Sequence, residues 1–152
     1  MRTLVDTNVV LRIADEGHPM HGEALAAIDR LDANGHECVI VPQVLYEYWV
    51  VATRPGENNG LGMTTANANL AISKWTTVFR LLLDERGVFA YWRDLVVDND
   101  VKGKTAHDAR LVASMQRHGV TNLLSFNKAD FTRFTAINVF TPTDVLAGQI
   151  SV

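Results

Sequence analysis

The sequence of residues 4–11 is LVDTNVVL, in which one aspartate and its polar neighbours separate two apolar runs. Leu4 and Val5 are typical of a buried strand, and Asp6 follows that strand directly. In an open α/β sheet the carboxyl ends of the strands form the ligand crevice, so a carboxylate here suggests a metal or phosphate site. Asp is also a preferred N-cap residue, and capping of the following helix is the alternative role for Asp6.

The rest of the chain alternates between strand patterns and helix patterns. This alternation predicts an α/β fold with a parallel sheet covered by helices on both faces. The chain has 152 residues, the usual length of one domain, so we expect residues 1–152 to form a single domain. The predicted strands cover residues 3–5, 37–41, 88–89, 122–125 and 137–140. The predicted helices cover residues 19–33, 42–53, 65–86, 91–99 and 106–118.

A second carboxylate stands out because it is the only formally charged residue in segment 38–52. Pro42 suits the first turn of a helix, and Val44, Glu47 and Val51 then fall on one helical face. A buried unpaired charge costs several kcal/mol, so this pattern predicts an arginine, a metal ion or a water-filled cleft as the partner of Glu47. The alternative is a Glu47 at the edge of the apolar stripe, with its carboxylate in solvent.

Two further acids have similar sequence settings. Asp108 lies near the start of a predicted helix, where Thr105 and Asp108 have the spacing of a capping box. Capping and metal binding are compatible at that position. Asp130 follows the strand pattern of residues 122–125, and capping of the turn before Phe131 is its alternative role. Four acids at strand ends and helix starts suggest a single site.

These segments, in this order, resemble the PIN domain, and in particular the VapC-type toxin ribonucleases of toxin–antitoxin pairs. The resemblance rests on VDTNVVL at residues 5–11, the isolated Glu47, HDARLVA at residues 107–113 and LLSFNKADF at residues 123–131. It covers essentially the whole chain. It implies a three-layer α/β/α PIN-like sandwich around a parallel sheet of four to five strands.

The resemblance also implies a set of site residues. Asp6, Glu47 and Asp108 match the acids that hold divalent metal in that family, and we expect them to be catalytic. The family's fourth acid commonly lies two residues after a Ser or Thr in the last motif, a position that Asn127 occupies here. Asp130 is the other candidate for the fourth ligand.

The chemistry of these groups predicts the cofactor. Oxygen ligands favour Mg²⁺, with Mn²⁺ as a possible substitute, over zinc. Converging carboxylates repel one another, by roughly 4 kcal/mol at about 4 Å in an effective dielectric near 20, so they need a cation. Thr7, Asn8 and Ser125 are predicted to orient water or the scissile phosphate, since no adjacent base would activate the hydroxyls as nucleophiles.

The predicted function is therefore metal-dependent endoribonuclease activity, as the toxin of a toxin–antitoxin pair. The expected substrate is RNA, with tRNA and rRNA as candidates. The resemblance further implies a homodimer and a cognate antitoxin. Tyr46, Trp49 and Trp92 are candidate interface residues, and packing in the core is the alternative for each. Two alternatives remain open: a catalytically weakened RNA-binding or interaction domain, and an aspartate-dependent phosphatase. Such a phosphatase would need a second Asp where this chain has Asn8.

The charge distribution fits an enzyme that binds phosphates. The chain carries a net charge of −3, but residues 102–133 contain six basic and two acidic side chains. This asymmetry predicts a basic rim beside an acidic centre, and phosphate contacts supply most sequence-independent affinity. Lys104, Lys128 and Arg133 are the predicted RNA-binding residues because they flank the carboxylate motifs. An ordinary solvated helix surface is the alternative.

Composition excludes other classes. The chain has a single cysteine, so it forms no intrachain disulfide, and no apolar signal core follows a charged start. No apolar run reaches the ~20 residues needed to span a bilayer, so no membrane association is expected. These features predict a cytoplasmic protein.

Overall fold

A five-stranded parallel sheet organises the molecule. A computed structural model describes residues 1–150, and the last two residues of the predicted domain lie outside that range. The strands are β1 (Arg2–Val5), β2 (Glu37–Ile40), β3 (Arg80–Leu81), β4 (Asn122–Leu124) and β5 (Asn138–Phe140). Their order in the sheet is β3-β2-β1-β4-β5, and every neighbouring pair is parallel.

Seven α-helices connect the strands within residues 1–150. They are α1 (Thr7–Ala14), α2 (His21–Ala33), α3 (Pro42–Thr53), α4 (Thr65–Val78), α5 (Val88–Asp98), α6 (Thr105–His118) and α7 (Pro142–Leu146). Helix α2 packs against α1 and α7, α5 packs against α6, and α3 packs against both α1 and α4. The predicted α/β sandwich is confirmed, with five strands. None of these helices is both long and apolar enough to cross a bilayer.

The strand register fixes where the polar residues after the strands meet. Leu4 of β1 lies between Val39 of β2 and Leu123 of β4, and all three side chains are fully buried. The backbone N–H of Asp6 then donates to the carbonyl of Leu124 at 3.0 Å, which ties the end of β1 to the end of β4. Residues that directly follow β1 and β4 therefore face one crevice, as expected for parallel strands.

The predicted helix at residues 65–86 and the predicted strand at 88–89 are wrong. Helix α4 ends at Val78, after a β-branched run that favours extended backbone, and Arg80 then pairs with Val39 in β3. Phe79 and Leu82 are buried, although both lie beyond the end of the helix. Residues 88–89 begin α5, where packing against α6 overrides a local strand preference.

Two helices were absent from the predicted list. Helix α1 spans only eight residues and begins directly after β1, so its apolar residues look like a continuation of the strand. Helix α7 has five residues and begins with a capping box in which Thr141 and Asp144 bond each other's backbone N–H groups. Both helices are short, which leaves too few residues for a helical period to be recognised.

Candidate active site

Asp6 is held at the junction of β1 and α1. It is the N-cap of α1, and only 8% of its surface is exposed. Its Oδ1 accepts a hydrogen bond from the backbone N–H of Thr7 at 2.7 Å, and its Oδ2 accepts one from the Ser125 hydroxyl at 2.7 Å. The Asn8 amide also donates to Oδ2, at 3.2 Å. The capping alternative for Asp6 is thus correct, and it leaves the carboxylate at the mouth of the sheet.

A hydrogen-bond network joins the segments that follow β1 and β4. The Asn8 side chain donates to the Ser125 hydroxyl oxygen at 3.1 Å and accepts from the backbone N–H of Phe126 at 3.0 Å. The backbone N–H of Asn127 donates to the same hydroxyl oxygen at 3.1 Å. Ser125 is fully buried, so its hydroxyl is fixed between Asp6 and these donors.

Glu47 reaches the same region from the second turn of α3. Its carboxylate accepts hydrogen bonds from the Thr7 hydroxyl at 2.8 Å and from the Gln43 amide at 3.0 Å. Val44 on its helical face is fully buried, but Glu47 itself is exposed. Of the two places that the sequence left open for Glu47, the structure shows the edge of the apolar stripe, where its carboxylate lines an open cleft.

Gln43 is a residue that the sequence reasoning missed. It is buried, and its Nε2 donates both to Glu47 and to the backbone carbonyl of His107 in α6, the latter at 2.8 Å. Its Oε1 accepts from Arg110 at 3.3 Å, and Arg110 also pairs with Asp84 at 3.3 Å. Gln43 thus joins α3 to the first turn of α6. A polar residue four positions before Glu47, on the same helical face, was the available signal.

Asp108 lies in the first turn of α6, half-buried. The capping box predicted for Thr105 and Asp108 is wrong, because the helix already begins at Thr105 and its N-cap, Lys104, has no side-chain cap bond. Asp130 lies inside a 3₁₀ turn, Lys128–Phe131, so it does not cap that turn either. Without a capping role, both carboxylates stay available for other contacts.

One cleft of about 240 Å³ contains all four predicted acids. Its apolar walls come from Leu11, Val51 and Phe131. Its polar lining consists of Asp6, Thr7, Asn8, Glu47, Asp108, Asn127 and Asp130. We call it the carboxylate cleft. Residues far apart in the sequence meet here because β1, α3, α6 and the segment after β4 all open on one edge of the sheet.

The cleft concentrates negative charge in a poorly solvated place. Burial, reinforced by the charges of Glu47 and Asp108, raises the pKa of Asp6 to about 6. Burial, followed by the charge of Asp130 and then that of Glu47, raises the pKa of Asp108 to about 6. Arg133 and His107 oppose the shift at Asp108. A cation in this cleft would relieve the repulsion between these carboxylates.

The donor set fits Mg²⁺ or Mn²⁺ in its chemistry, since every candidate ligand is an oxygen. No three His, Cys, Asp or Glu side chains of residues 1–150 stand close enough together to form a complete ion cage. Mg²⁺ does not require such a cage, because it usually keeps several waters and binds one or two carboxylates together with substrate phosphates. The cleft therefore suits a partly hydrated ion.

The basic residues near the cleft fall into two groups. Lys128 pairs with Asp144 at 3.0 Å, and Lys102, Arg110 and Arg117 also have acidic partners. Among residues 1–150, Lys104 and Arg133 form no ion pair, and both are exposed. The charge of Arg133 lowers the pKa of Asp108. Of the predicted rim, these two residues have the cations best placed for a new partner.

Solved structures share this architecture. A VapBC2 structure from Rickettsia felis, bound to a DNA fragment from its promoter, aligns with a TM-score of 0.69 at 13% identity, over 93% of this chain and 98% of the matched chain. VapBC-1 from nontypeable Haemophilus influenzae aligns with 0.67 at 14% identity, over 94% and 99%. VapC20 of Mycobacterium tuberculosis, a toxin that cleaves the sarcin-ricin loop, aligns with 0.62 at 22% identity, over 84% and 92%. At identities this low, the structural alignments show that the fold is shared and nothing more.

Sequence comparison with a family model gives the assignment. No curated protein sequence matches the chain significantly. The PIN domain model, however, matches residues 3–137, a span that includes all four acids of the carboxylate cleft. This chain belongs to the PIN domain family.

Proposed function

We propose that this protein is a metal-dependent endoribonuclease and the toxin of a toxin–antitoxin pair. The observation that carries the proposal is the carboxylate cleft itself, where four acids from separate elements meet and the pKa values of Asp6 and Asp108 are raised to about 6. Strongly perturbed groups that converge in a cleft are typical of functional sites. Membership of the PIN family and the fold shared with VapC20 support the same reading.

In this proposal Asp6, Glu47 and Asp108 hold a partly hydrated ion, one or two of them directly and the rest through bound water. Asp130 completes the set better than Asn127, because the Asp130 charge already acts on Asp108. A bound divalent ion supplies charge stabilisation at a phosphoryl oxygen and a lower pKa for the attacking water. Asp6 and Glu47 are preorganised for this role, since neighbouring donors already fix their carboxylates.

The other polar residues hold the carboxylates and the flanking phosphates in position. Thr7 and Ser125 donate their hydroxyl protons to Glu47 and Asp6, so in this proposal they hold those carboxylates in place, and water is the attacking group. Water oxygen bonds to phosphorus, the bond to the leaving ribose oxygen breaks, and a proton passes to that oxygen. Lys104 and Arg133 hold flanking phosphates by charge.

The proposed substrate is a structured RNA, such as tRNA or rRNA, with a single-stranded target loop. Sequence-specific RNA recognition mostly uses unpaired bases in loops, whose edges are accessible. A cleft of about 240 Å³ that opens on the protein surface suits one extended backbone segment better than a duplex. VapC20, which shares this fold, is a toxin that cleaves the sarcin-ricin loop.

The test is RNA cleavage across a titration of Mg²⁺ and of Mn²⁺, with fragment ends mapped. We expect wild type to cleave only with metal, and Asp6→Asn to lose at least about 100-fold in rate, as for preorganised electrostatic groups elsewhere. Asp29→Asn is the matched control, because Asp29 lies in a separate cavity beside Glu37, at the amino end of β2. Equal activity of wild type and Asp6→Asn at every metal concentration would leave the inactive interaction domain as the better account.

We also propose a homodimer and a cognate antitoxin as partners. The Rickettsia felis and Haemophilus influenzae structures are VapBC complexes, which supports an antitoxin here. The α3–α4 surface exposes Tyr46, Val50 and Leu70, and Trp49 lines a cavity of about 410 Å³ there. Trp92 is a weaker candidate, because its indole N–H donates to the carbonyl of Ala106 at 2.8 Å. Exposed apolar groups gathered on one surface are typical of an interface.

Light scattering on the purified protein, alone and co-expressed with the product of the adjacent gene, tests these partners. We expect the protein to be a dimer when it is purified alone and to form a stable complex on co-expression. The Val50→Glu variant should lose either the dimer or the complex. Val97→Glu is the matched control, since Val97 is 72% exposed on α5, a different helix. A wild-type monomer with no co-purifying product would contradict both partner proposals.

A further inference from the structure

A second cavity, of about 350 Å³, adjoins the carboxylate cleft. Leu11 of α1 and Val51 of α3 line both cavities, so the two are adjacent. Along α1, Asn8 faces the cleft, and Asp15, seven residues further on, lies roughly 10 Å along the helix axis and faces the second cavity. We call this second space the loop cavity. A strand of substrate held at the cleft would extend into it.

The far wall of the loop cavity is a tightly built loop, residues 54–63. Its backbone N–H groups at Leu61, Gly62 and Met63 donate to carbonyls of residues 51, 54 and 52 at 2.8–3.0 Å. At Gly60 a Cβ atom would lie 1.9 Å from the carbonyl oxygen of Arg54, so only glycine fits there. Asn59 adopts φ of 62°, a left-handed conformation that Asn tolerates. The wall is therefore preformed, as binding cavities usually are.

The polar groups of the loop cavity are not used by the fold. Arg12, Asp15 and Asn59 line it, and their side chains form no hydrogen bond or ion pair with any of residues 1–150. His18 contributes a ring whose Nδ1 accepts from the backbone N–H of Met20 at 3.0 Å, which leaves Nε2 as a donor. A carboxylate, a guanidinium, an amide and an imidazole thus line a cavity with apolar sides from Leu11 and Val51.

We propose that the loop cavity binds one unpaired base of the RNA substrate, next to the scissile phosphate, and that Asp15 selects guanine. The proposal rests on the nuclease function proposed above. A carboxylate only accepts hydrogen bonds, and guanine presents two adjacent donors, N1–H and N2–H, on its Watson–Crick edge. The other three bases have no such pair of donors for one carboxylate. Arg12 and Asn59 have donors that suit the guanine O6 acceptor.

The experiment uses RNA hairpins whose single-stranded loop carries random nucleotides, with cleavage ends mapped by sequencing. We expect wild type to prefer guanine at one position beside the cut. Replacement of that guanine by inosine, which lacks the N2 amino group, should reduce kcat/KM about tenfold, the usual scale for a bidentate base contact. In Asp15→Asn the guanine-to-inosine ratio should fall close to one.

Two further variants make the result specific. Asn59→Gly keeps a residue that adopts positive φ but removes the amide, and we expect a smaller loss of guanine preference. Asp29→Asn should keep the wild-type ratio. If wild type cleaves RNA but Asp15→Asn retains the full guanine-to-inosine ratio, or the preferred base is not guanine, the base site is overturned and the nuclease function stands. If wild type cleaves no RNA at any metal concentration, the nuclease function fails first.

Discussion

The carboxylate cleft and the loop cavity share Leu11 and Val51, yet their polar groups are organised in opposite ways. In the cleft, Asp6 and Glu47 accept five hydrogen bonds from their neighbours. In the loop cavity, no polar side chain of Arg12, Asp15 or Asn59 has a partner within residues 1–150. Fixed groups suit chemistry on a phosphate, which every RNA presents in the same way. Unengaged groups suit recognition of a base, which differs from one RNA to another.

The most costly feature of the cleft is the buried charge of Asp6. Its pKa is raised from 3.8 to about 6, so the folded protein keeps a proton that the unfolded chain releases as pH rises between those values. The free energy of unfolding therefore falls as pH rises through that window and stays low above it. One pKa unit is worth 1.36 kcal/mol, so the whole loss is about 3 kcal/mol.

Urea unfolding of metal-free protein in chelator, at pH 5 and pH 7.5, measures this cost. We expect wild type to lose roughly 1.5 kcal/mol across that interval from Asp6, the remainder having been lost below pH 5. Asp6→Asn should lose less, and Mg²⁺ at pH 7.5 should restore stability to wild type but not to Asp6→Asn. Parallel declines in the two proteins would show that Asp6 carries no buried charge.

Loss of the hydrogen bond from Ser125 to Asp6 should have the next largest effect, a slower rate of RNA cleavage. Ser125→Ala removes the 2.7 Å donor and leaves Asn8 and Asn127 without their shared acceptor. Mutation of residues that hold metal ligands typically costs 10- to 100-fold, and we expect a loss of cleavage near the upper end. The matched control is Ser114→Ala, a buried hydroxyl with no hydrogen-bond partner in the described chain. Equal losses in both variants would indicate a general effect of removing a buried hydroxyl.

The sequence predicted the strand ends of this site better than its helices. Asp6 and Ser125 stand directly after buried apolar strands, and a parallel sheet gives such residues only one edge to occupy. The absence of a capping box at Asp108 follows from α6 beginning at Thr105, whereas the exposure of Glu47 depends on how α3 is rotated against the sheet. That rotation is set by tertiary packing, which residue spacing within one helix does not encode.

Gln43 was missed for the same reason. Its importance lies in a contact between α3 and the carbonyl of His107, 64 residues away in the chain. The i, i+4 spacing of Gln43 and Glu47 indicates only the contact between those two residues, and no local pattern marks the contact with His107. The loop that forms the wall of the loop cavity is, in the sequence, only a Gly-rich and Asn-rich segment. Its backbone hydrogen bonds to α3 are not revealed by that composition.

Replacement of Gln43 by methionine tests whether the contacts of Gln43 with α6 hold Glu47 in position. Methionine keeps the length of the side chain but removes the bonds to Glu47, His107 and Arg110. We expect about tenfold slower cleavage and a higher Mg²⁺ concentration for half-maximal rate. A purely structural role would lower the melting temperature without changing the Mg²⁺ requirement. Gln149→Met, at an exposed glutamine beyond α7, is the control.

The smallest expected effect separates the two candidates for the fourth ligand, Asn127 and Asp130. Both line the carboxylate cleft and both are exposed, but only Asp130 adds a charge that acts on Asp108. Asp130→Asn removes one negative charge, so we expect the Mg²⁺ concentration for half-maximal cleavage to rise by about twofold to fivefold, on the scale of a surface-exposed charge contact. Asn127→Asp adds a charge beside it and should lower that concentration by a similar factor. The double variant should return close to wild type if the two positions contribute charge to one ion. An Asp130→Asn protein that needs no more Mg²⁺ than wild type would leave three acids, Asp6, Glu47 and Asp108, as the complete set.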